Sequence, residues 1–470
     1  MSSSTTPHKL AVSAAFDGSP IAELPCHGLK EAEEALGTAV ALFRNRQKWL
    51  SVPDRIEVLR RAGEIMRDRI EDLTLQAARE GGKPYVDSKI ELRRAIDGVE
   101  NCIEVLRSEG GHVVPMGVNK PSVGRVAFTR REPIGVVVAV SAFNHPMNLI
   151  VHQVAPGIAA GCPVIVKPAP DTPLSGKAFV EILHEAGLPP EWCQLIVTDE
   201  IDVAEKLVTD DRVGIFSFIG SARVGWMLRS KLAPGTRAAL EHGGAAPVIV
   251  AADADLQDAV PRLVKGGFYH AGQVCVSVQR IFAHADIARS LAEQLARQAA
   301  ELVVGDPTNP DTEVGPLIRP GEVSRVAEWV TESIDGGAEC LTGGEPLSET
   351  CYPPTVLYDP PPGAKVSTNE IFGPVVCVFP YTDLEEAIDR ANALPYAFQS
   401  AVFTRDIEIA TQAYSGLDAS AVMINDHTAF RVDWMPFAGL RQSGLGVGGI
   451  PHTYDEMTIE KMMVLRSDHL

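Results

Sequence analysis

Between Ile134 and Ala222 the chain alternates short, nearly pure apolar runs with helical stretches. The run IGVVVAVSA is followed by a helical stretch from Pro146 to Ala160, then by PVIVKPA and a helix from Leu174 to Ala186. WCQLIVT, a helix from Asp202, VGIFSFIG and a helix from Ala222 continue the series. Runs so continuously apolar belong to strands buried on both faces, and such strands joined by helical crossovers build a parallel sheet wrapped by helices. An α/β fold is therefore expected. A second series starts near Ala246 with APVIVAADA and passes through a helix around Leu291 to Leu302 and the strands VVCVFPY and AVMIN, which predicts a second α/β unit. Upstream, Ile56, Leu59, Ile65 and Ile70 recur at three- and four-residue steps, so Leu29 to Gly110 reads as consecutive amphipathic helices. Gly111 to Pro133 reads as an extended ribbon, and the terminal segment TIEKMMVLR alternates as a strand able to pair with an edge elsewhere. No repeat of solenoid or propeller length occurs.

Across 470 residues, 42 Lys and Arg face 61 Asp and Glu, a net charge of −19. Phosphate attraction needs a cationic surface, so a general nucleic-acid or anionic-membrane binder is excluded. No apolar run approaches the ~20 residues that span a bilayer. The start, MSSSTTPHKLAVSAAF, lacks the apolar core of a secretory leader. The eight cysteines are far apart and form no CxxC pair, so they read as free thiols of a reducing cytosol, and no metal site is expected.

Gly444, Gly446 and Gly449 spell GxGxxG, but Pro451 follows at once and too little chain remains for the acidic partner of a nucleotide site. The tail reads as a loop. SFIGSARVG is better placed: an apolar run ends at Ile219, and Gly220, Ser221 and Gly225 open a helix whose amides suit a pyrophosphate, or form an ordinary Ser-capped turn. In FYHAGQVC, Phe268, Gly272, Gln273 and Cys275 have the spacing F-x-x-x-G-Q-x-C; the cysteine is expected at a turn into a helix whose amides favour a thiolate. Thirty-four residues upstream, LEHGG sets Glu241 beside Gly243 and Gly244, with room to swing.

With these motifs in this order (SAFNHP, VIVKPAPDTP, FIGSARVG, LEHGG, GQVC, EIFGPV and PFAGLRQSG) the chain resembles the aldehyde dehydrogenase superfamily almost end to end. The resemblance implies a Rossmann-like cofactor domain without the glycine fingerprint (1–110 and 134–243), an α/β catalytic domain (244–440) and a small β arm (111–133 and 448–470) that joins subunits as a dimer or tetramer. It implies Cys275 as nucleophile, Asn144 with the Cys275 amide as oxyanion donors, and Glu241 as the base that hydrolyses a thioester. Lys167 and Glu370 would hold the cofactor riboses, Gly220 and Ser221 the pyrophosphate, and Phe372 the nicotinamide ribose. The reaction implied is oxidation of an aldehyde to the acid with NAD or NADP in the cytoplasm.

Departures refine this. Pro170 stands where many NAD-preferring members carry a glutamate that would repel a 2′-phosphate, which leaves NADP open. His242 replaces an aliphatic residue, and Phe143 and His145 flank Asn144 in place of Trp and Phe; both histidines are expected to be hydrogen-bonded structural residues. SAFNHPMN, IELRRAID and FRVDWMPF resemble members that act on small hydroxylated or anionic aldehydes, and Arg93, Arg94, Arg130 and Arg431 are the candidates to meet an anionic group. A coenzyme A-acylating dehydrogenase and a non-catalytic protein retaining the fold are the alternatives; retention of Glu241 opposes the first, and the intact catalytic set opposes the second.

Overall fold

Two sheets contribute to the walls of one crevice. The computed structural model describes residues 8–470; the first seven, part of the stretch read as lacking a leader, lie outside. The first sheet runs in the order Gly444–Leu445, Arg237–Glu241, Val213–Ile219, Val136–Val140, Val164–Lys167, Cys193–Leu195. All neighbours are parallel except the first pair. Val136–Val140 comes first in the chain and sits in the middle: the next two strands add on one side and the two after those on the other. The order therefore reverses between Val140 and Ile219, and such a switch point opens a crevice outside the carboxyl ends of the strands.

The second sheet has the order Glu339–Thr342, Thr355–Tyr358, Val375–Tyr381, Val278–His284, Ala246–Val250, Gln399–Phe403, Ala421–Ile424. Only its first pair is antiparallel. Its core includes Val248, Ile249, Ile281, Leu291, Val376 and Val378, all buried, as two-sided packing requires. Helices Leu29–Arg44, Val52–Asp68, Ile70–Gly81 and Tyr85–Ser108 occupy the region expected to be helical. Asn148–Ala160 is buried on every side, which is why it reads as uniformly apolar rather than amphipathic.

The terminal strand Thr458–Arg466 pairs antiparallel with Arg125–Pro133 in unbroken register, Thr458 opposite Pro133 and Arg466 opposite Arg125, and Val113–Val114 completes a three-stranded sheet. The assignment of 448–470 to an arm is corrected in its first part, since Ile450–Glu456 is a helix packed on Asn148–Ala160 and Tyr85–Ser108. The tail also departs from the loop expected of it. Pro451 falls in the first turn of that helix, where its missing N–H costs nothing, so it starts the element rather than forbidding it. Among the described residues, no helix is long and apolar enough to cross a membrane.

Candidate active site

The crevice holds a cavity of about 850 Å³ whose walls include Asn144, Lys167, Gly220, Ser221, Glu241, Cys275, Glu370 and Phe372, all eight residues expected at the site. Their convergence follows from topology. Asn144, Lys167, Gly220 and Glu241 lie at or just past the carboxyl ends of strands of the first sheet, whereas Cys275 and Phe372 each stand three residues before a strand of the second.

Cys275 does not enter a helix. It lies after the turn Tyr269–Gly272 and leads into the strand Val278–His284, so the expectation of a helix-activated thiolate is corrected. His270 (φ 48°) and Ala271 (φ 53°) hold left-handed backbone in that turn, as does Gly272 (φ 69°), where an added Cβ would overlap the Gly373 carbonyl. Close packing against Gly373 thus accounts for the glycine of the GQ pair. Gln273 braces the rest: its amide donates to Pro316 O (3.3 Å), its Oε1 accepts from Ile318 N (3.0 Å), and its carbonyl accepts from Asn144 Nδ2 (2.9 Å). An amide nitrogen carries two N–H groups, so Asn144 retains one for the cavity. Burial pushes the half-buried Cys275 thiol up, the negative charges of Glu241 and Glu370 add to this, and the Arg431 guanidinium opposes them. The resting group is the thiol.

Glu241 is also pushed up by burial, against the cations Arg431 and Arg94. Arg431 Nη1 lies 3.9 Å from Glu241 Oε1, and the guanidinium stacks 3.6 Å from the centre of the Phe437 ring. A buried network orients it: Arg431 Nη2 donates to His152 Nδ1 (3.4 Å), and His152 Nε2 donates to Asp433 Oδ1 (2.7 Å). Those roles require neutral His152, and burial does take it down to about 4. Asp433 also receives Arg94 through two bonds (3.1 and 2.8 Å) and Asn148 Nδ2 (3.2 Å). Burial opposes its ionised form, but His152 and Arg94 outweigh that and hold its carboxyl well below the usual range. Arg94 is thereby satisfied, while Arg431 keeps a buried, unpartnered Nε.

Of the four arginines considered for substrate, Arg94 and Arg431 line the cavity. The other two do not, and the expectation was that one or more of the four would. Arg93, one step around the helix from Arg94, is exposed, and Arg130 is bonded to Glu132 in the three-stranded sheet. Asp433, His152 and Gln273 had no distinguishing signal in the chain beyond their place in motifs. Arg223, Arg319 and Arg325 also line the cavity; Arg319 pairs with Asp171.

The cofactor side is coherent as a binding surface. Ser221 is the N-cap of helix Ala222–Arg229 but makes no side-chain cap bond, so both its hydroxyl and the positive helix end remain available. His242, which is buried, braces this turn by donating from Nδ1 to Gly220 O (2.8 Å), and it packs so closely on Gly225 that any Cβ there would overlap its ring. It is the hydrogen-bonded structural residue expected. Burial lowers Lys167 to about 8 against the pull of Asp199 and Asp171, and raises Glu370 to about 7 against the bond from Gly244 N (3.2 Å). Glu370 lies over Gly243, where a Cβ would overlap the carboxylate. An ammonium, a carboxylate, a free helix terminus and the edge-on pair Phe143 and Phe372 (5.8 Å) fit a dinucleotide's riboses, pyrophosphate and nicotinamide.

A buried ion pair sets the Asn144 loop. Lys83 Nζ bonds Glu91 Oε2 and His145 Nδ1 (2.6 Å), while Glu91 Oε1 accepts from Met147 N (2.9 Å) and Asn148 N (3.0 Å), capping the helix after Asn144. Glu91→Ala is expected to cost about 3–5 kcal/mol in denaturant unfolding, because it strands a buried ammonium and two amides, whereas Glu91→Gln, which keeps an acceptor, costs less. Equal stability of Glu91→Ala and the parent would refute this role.

Comparison with known proteins identifies the family. Residues 2–463 match the family model described as the aldehyde dehydrogenase family. The 3-sulfolactaldehyde dehydrogenase of Priestia aryabhattai is 36% identical over 461 residues, covering 98% of this chain and 96% of its own. The lactaldehyde dehydrogenase of Methanocaldococcus jannaschii is 34% identical over 449 residues, 95% of each chain. Among solved structures, aldehyde dehydrogenase 21 from Physcomitrella patens in complex with the reaction product succinate superposes with a TM-score of 0.94 at 33% identity, covering 98% of this chain and 96% of that one. Glyceraldehyde-3-phosphate dehydrogenase from Methanocaldococcus jannaschii complexed with NADP gives 0.93 at 32%, covering 98% and 100%.

Proposed function

The chain belongs to the aldehyde dehydrogenase family, NAD(P)-dependent oxidoreductases that turn aldehydes into acids, and on that premise we propose that it acts on a small aldehyde carrying a carboxylate, sulfonate or phosphate group. The observation that carries the substrate class is Arg431: a guanidinium on the cavity wall it shares with Cys275, with a buried, unpartnered Nε and, at 3.9 Å, only a long ion pair to Glu241. A guanidinium fork suits a carboxylate or phosphate bidentately. The 3-sulfolactaldehyde dehydrogenase and the succinate held by aldehyde dehydrogenase 21 support the anionic class, while the lactaldehyde dehydrogenase, whose named substrate is uncharged, supports only a small hydroxylated aldehyde.

In this reading the Cys275 sulfur adds to the carbonyl carbon. The S–H proton passes to solvent, a C–S bond forms, and the carbonyl π pair moves to oxygen. The free Asn144 N–H and the Cys275 amide donate to that oxygen, each donor worth about 2.7–4 kcal/mol in such sites. NAD or NADP, held by Lys167, Gly220, Ser221, Glu370 and Phe372, supplies the hydride acceptor when bound. Glu241 then takes a proton from water, the hydroxyl attacks the thioester carbon, and the C–S bond breaks to release acid and restore Cys275. Pro170 and exposed Arg223, both on the cavity wall, place no carboxylate against a 2′-phosphate, so either cofactor is accommodated.

We propose a cofactor domain over 1–110 and 134–243, a catalytic domain over 244–440, and a β arm through which the chain self-associates as a dimer or tetramer. The arm's edge strand leaves Met462, Met463, Val464 and Leu465 about half exposed, an edge that a second copy would cover. A cytoplasmic location goes with the free thiols.

Arg431→Met tests the substrate class. It should lower kcat/KM about 100-fold for a short carboxylated or sulfonated aldehyde, the ~2.7 kcal/mol of a charged hydrogen-bonded contact, and far less for a neutral aldehyde of equal length. Arg431→Lys should fall between. Steady-state kinetics on the paired substrates reads the ratio, which cancels whatever Arg431 does to Glu241; an unchanged ratio overturns the anionic class. Turnover that required coenzyme A would replace the hydrolytic reading with the acylating one.

A further inference from the structure

Outside the cavity, a second thiol lies in a different chemical setting. Strands Lys9–Ser13 and Pro20–Pro25 form a hairpin that pairs only with itself, held against the body by a small cluster of Leu10, Val12, Leu24 and Val197. At its open end, His8 Nε2 stands 3.0 Å from Asp199 Oδ1, and Cys26 Sγ stands 3.9 Å from the same oxygen. The imidazole, thiol and carboxylate donor atoms all lie within 4.8 Å of one another.

The backbone holds these donors in register. Cys26 N donates to His8 O (2.9 Å), His27 N donates to Val197 O (2.7 Å), and Val197 N donates to His27 Nδ1 (2.9 Å). Asp199 comes two residues after Val197, so its carboxylate is delivered by a segment already tied to the hairpin. Cys26 is half-buried and the other two are exposed, which leaves an open side for water. One nitrogen, one sulfur and one oxygen donor at such spacing is the set that zinc-class cations take in tetrahedral geometry, with ligand bonds of about 2.0–2.3 Å.

We propose that His8, Cys26 and Asp199 bind one zinc-class divalent cation, with water as the fourth ligand, fastening the N-terminal hairpin to the segment after strand Cys193–Leu195. Binding breaks the Cys26 S–H bond, forms a metal–sulfur bond and releases the proton to solvent, with no change of oxidation state. A coordinating thiol must give up its proton to the solvent, so affinity should rise with pH.

The test uses the full untagged chain stripped with a chelator. Calorimetric titration with Zn²⁺ should give one ion per chain, and Co²⁺ should produce a thiolate-to-cobalt charge-transfer absorption. His8→Ala and Cys26→Ser should each weaken binding by about tenfold or more, since loss of even an outer-sphere partner costs that much. The cobalt band should vanish in Cys26→Ser and persist in Cys275→Ala. Zn²⁺ should raise the unfolding midpoint of the parent and not of the His8→Ala/Cys26→Ser double variant. Absence of stoichiometric binding by the parent, or a band that tracks Cys275 instead of Cys26, overturns the proposal.

Discussion

Cys275→Ala should lower kcat/KM for every aldehyde by on the order of 10⁴-fold or more while cofactor binding is unchanged. The expectation rests on what the substitution removes: the sulfur that makes the covalent bond, without which the remaining groups have no adduct to stabilise. No other thiol can substitute, because among the cysteines Cys275 alone lines the cavity. The thiol is pushed up by burial and by two nearby carboxylates, with Arg431 in opposition, so attack draws on the minor thiolate fraction and the acylation rate should climb with pH. Cys275→Ser should be nearly as inactive, since a hydroxyl ionises far less readily than even this thiol. Absorbance of the reduced nicotinamide reads turnover, and quenching of tryptophan fluorescence reads cofactor binding. Turnover within tenfold of the parent would remove Cys275 from the mechanism; loss of cofactor binding would instead mark a damaged site.

The central strands of the two sheets were legible because they are buried on both faces and so read as unbroken apolar runs, as VIVK and VVCVFPY do. Of the eight cavity residues, Gly220, Ser221, Glu241 and Cys275 stand in glycine-marked turns beside strands, and Gly272 and Gly243 prove to be places where a side chain has no room, whereas Asn144, Lys167, Glu370 and Phe372 were implied only by the family resemblance. Pairing between distant parts of the chain stayed hidden. Arg94 and Arg130 look alike in sequence, yet one enters the cavity on Asp433, 339 residues away, and the other spends its charge on Glu132 in the arm. Periodicity reports which face a residue takes and not which distant group that face meets. The helix after Gly449 was hidden by a rule applied too broadly, since proline bars a helix interior and suits its first turn. The setting of Cys275 likewise depended on the element downstream of it, which is a strand and not a helix. His8, Cys26 and Asp199 could not have been joined by spacing at all.

Glu241→Gln should separate the two halves of the reaction. The amide keeps the size of the carboxylate and cannot accept the proton of the attacking water, so the thioester on Cys275 should form and persist. Rapid mixing is expected to show a burst of one reduced nicotinamide per active site, then a steady rate some 10²–10⁴-fold below the parent, the usual weight of a positioned general base. Acid quenching and mass analysis of the Cys275 peptide should then find the acyl group attached. The pH dependence carries its own sign. Burial disfavours the charged form of Glu241, so the base is populated only as pH rises through its elevated pKa, and parent deacylation should increase along that limb. Arg431 favours the charged form from 3.9 Å away, so Arg431→Met should move the same limb to higher pH, and Glu241→Gln should abolish it. A slowed first turnover without a burst would place Glu241 in the addition step, as acceptor of the Cys275 proton, and an acyl-free peptide would confirm that reassignment. The burst is therefore the discriminating quantity: its amplitude counts thioesters that Cys275 and Asn144 make without help from Glu241, and its decay measures only what Glu241 does to water.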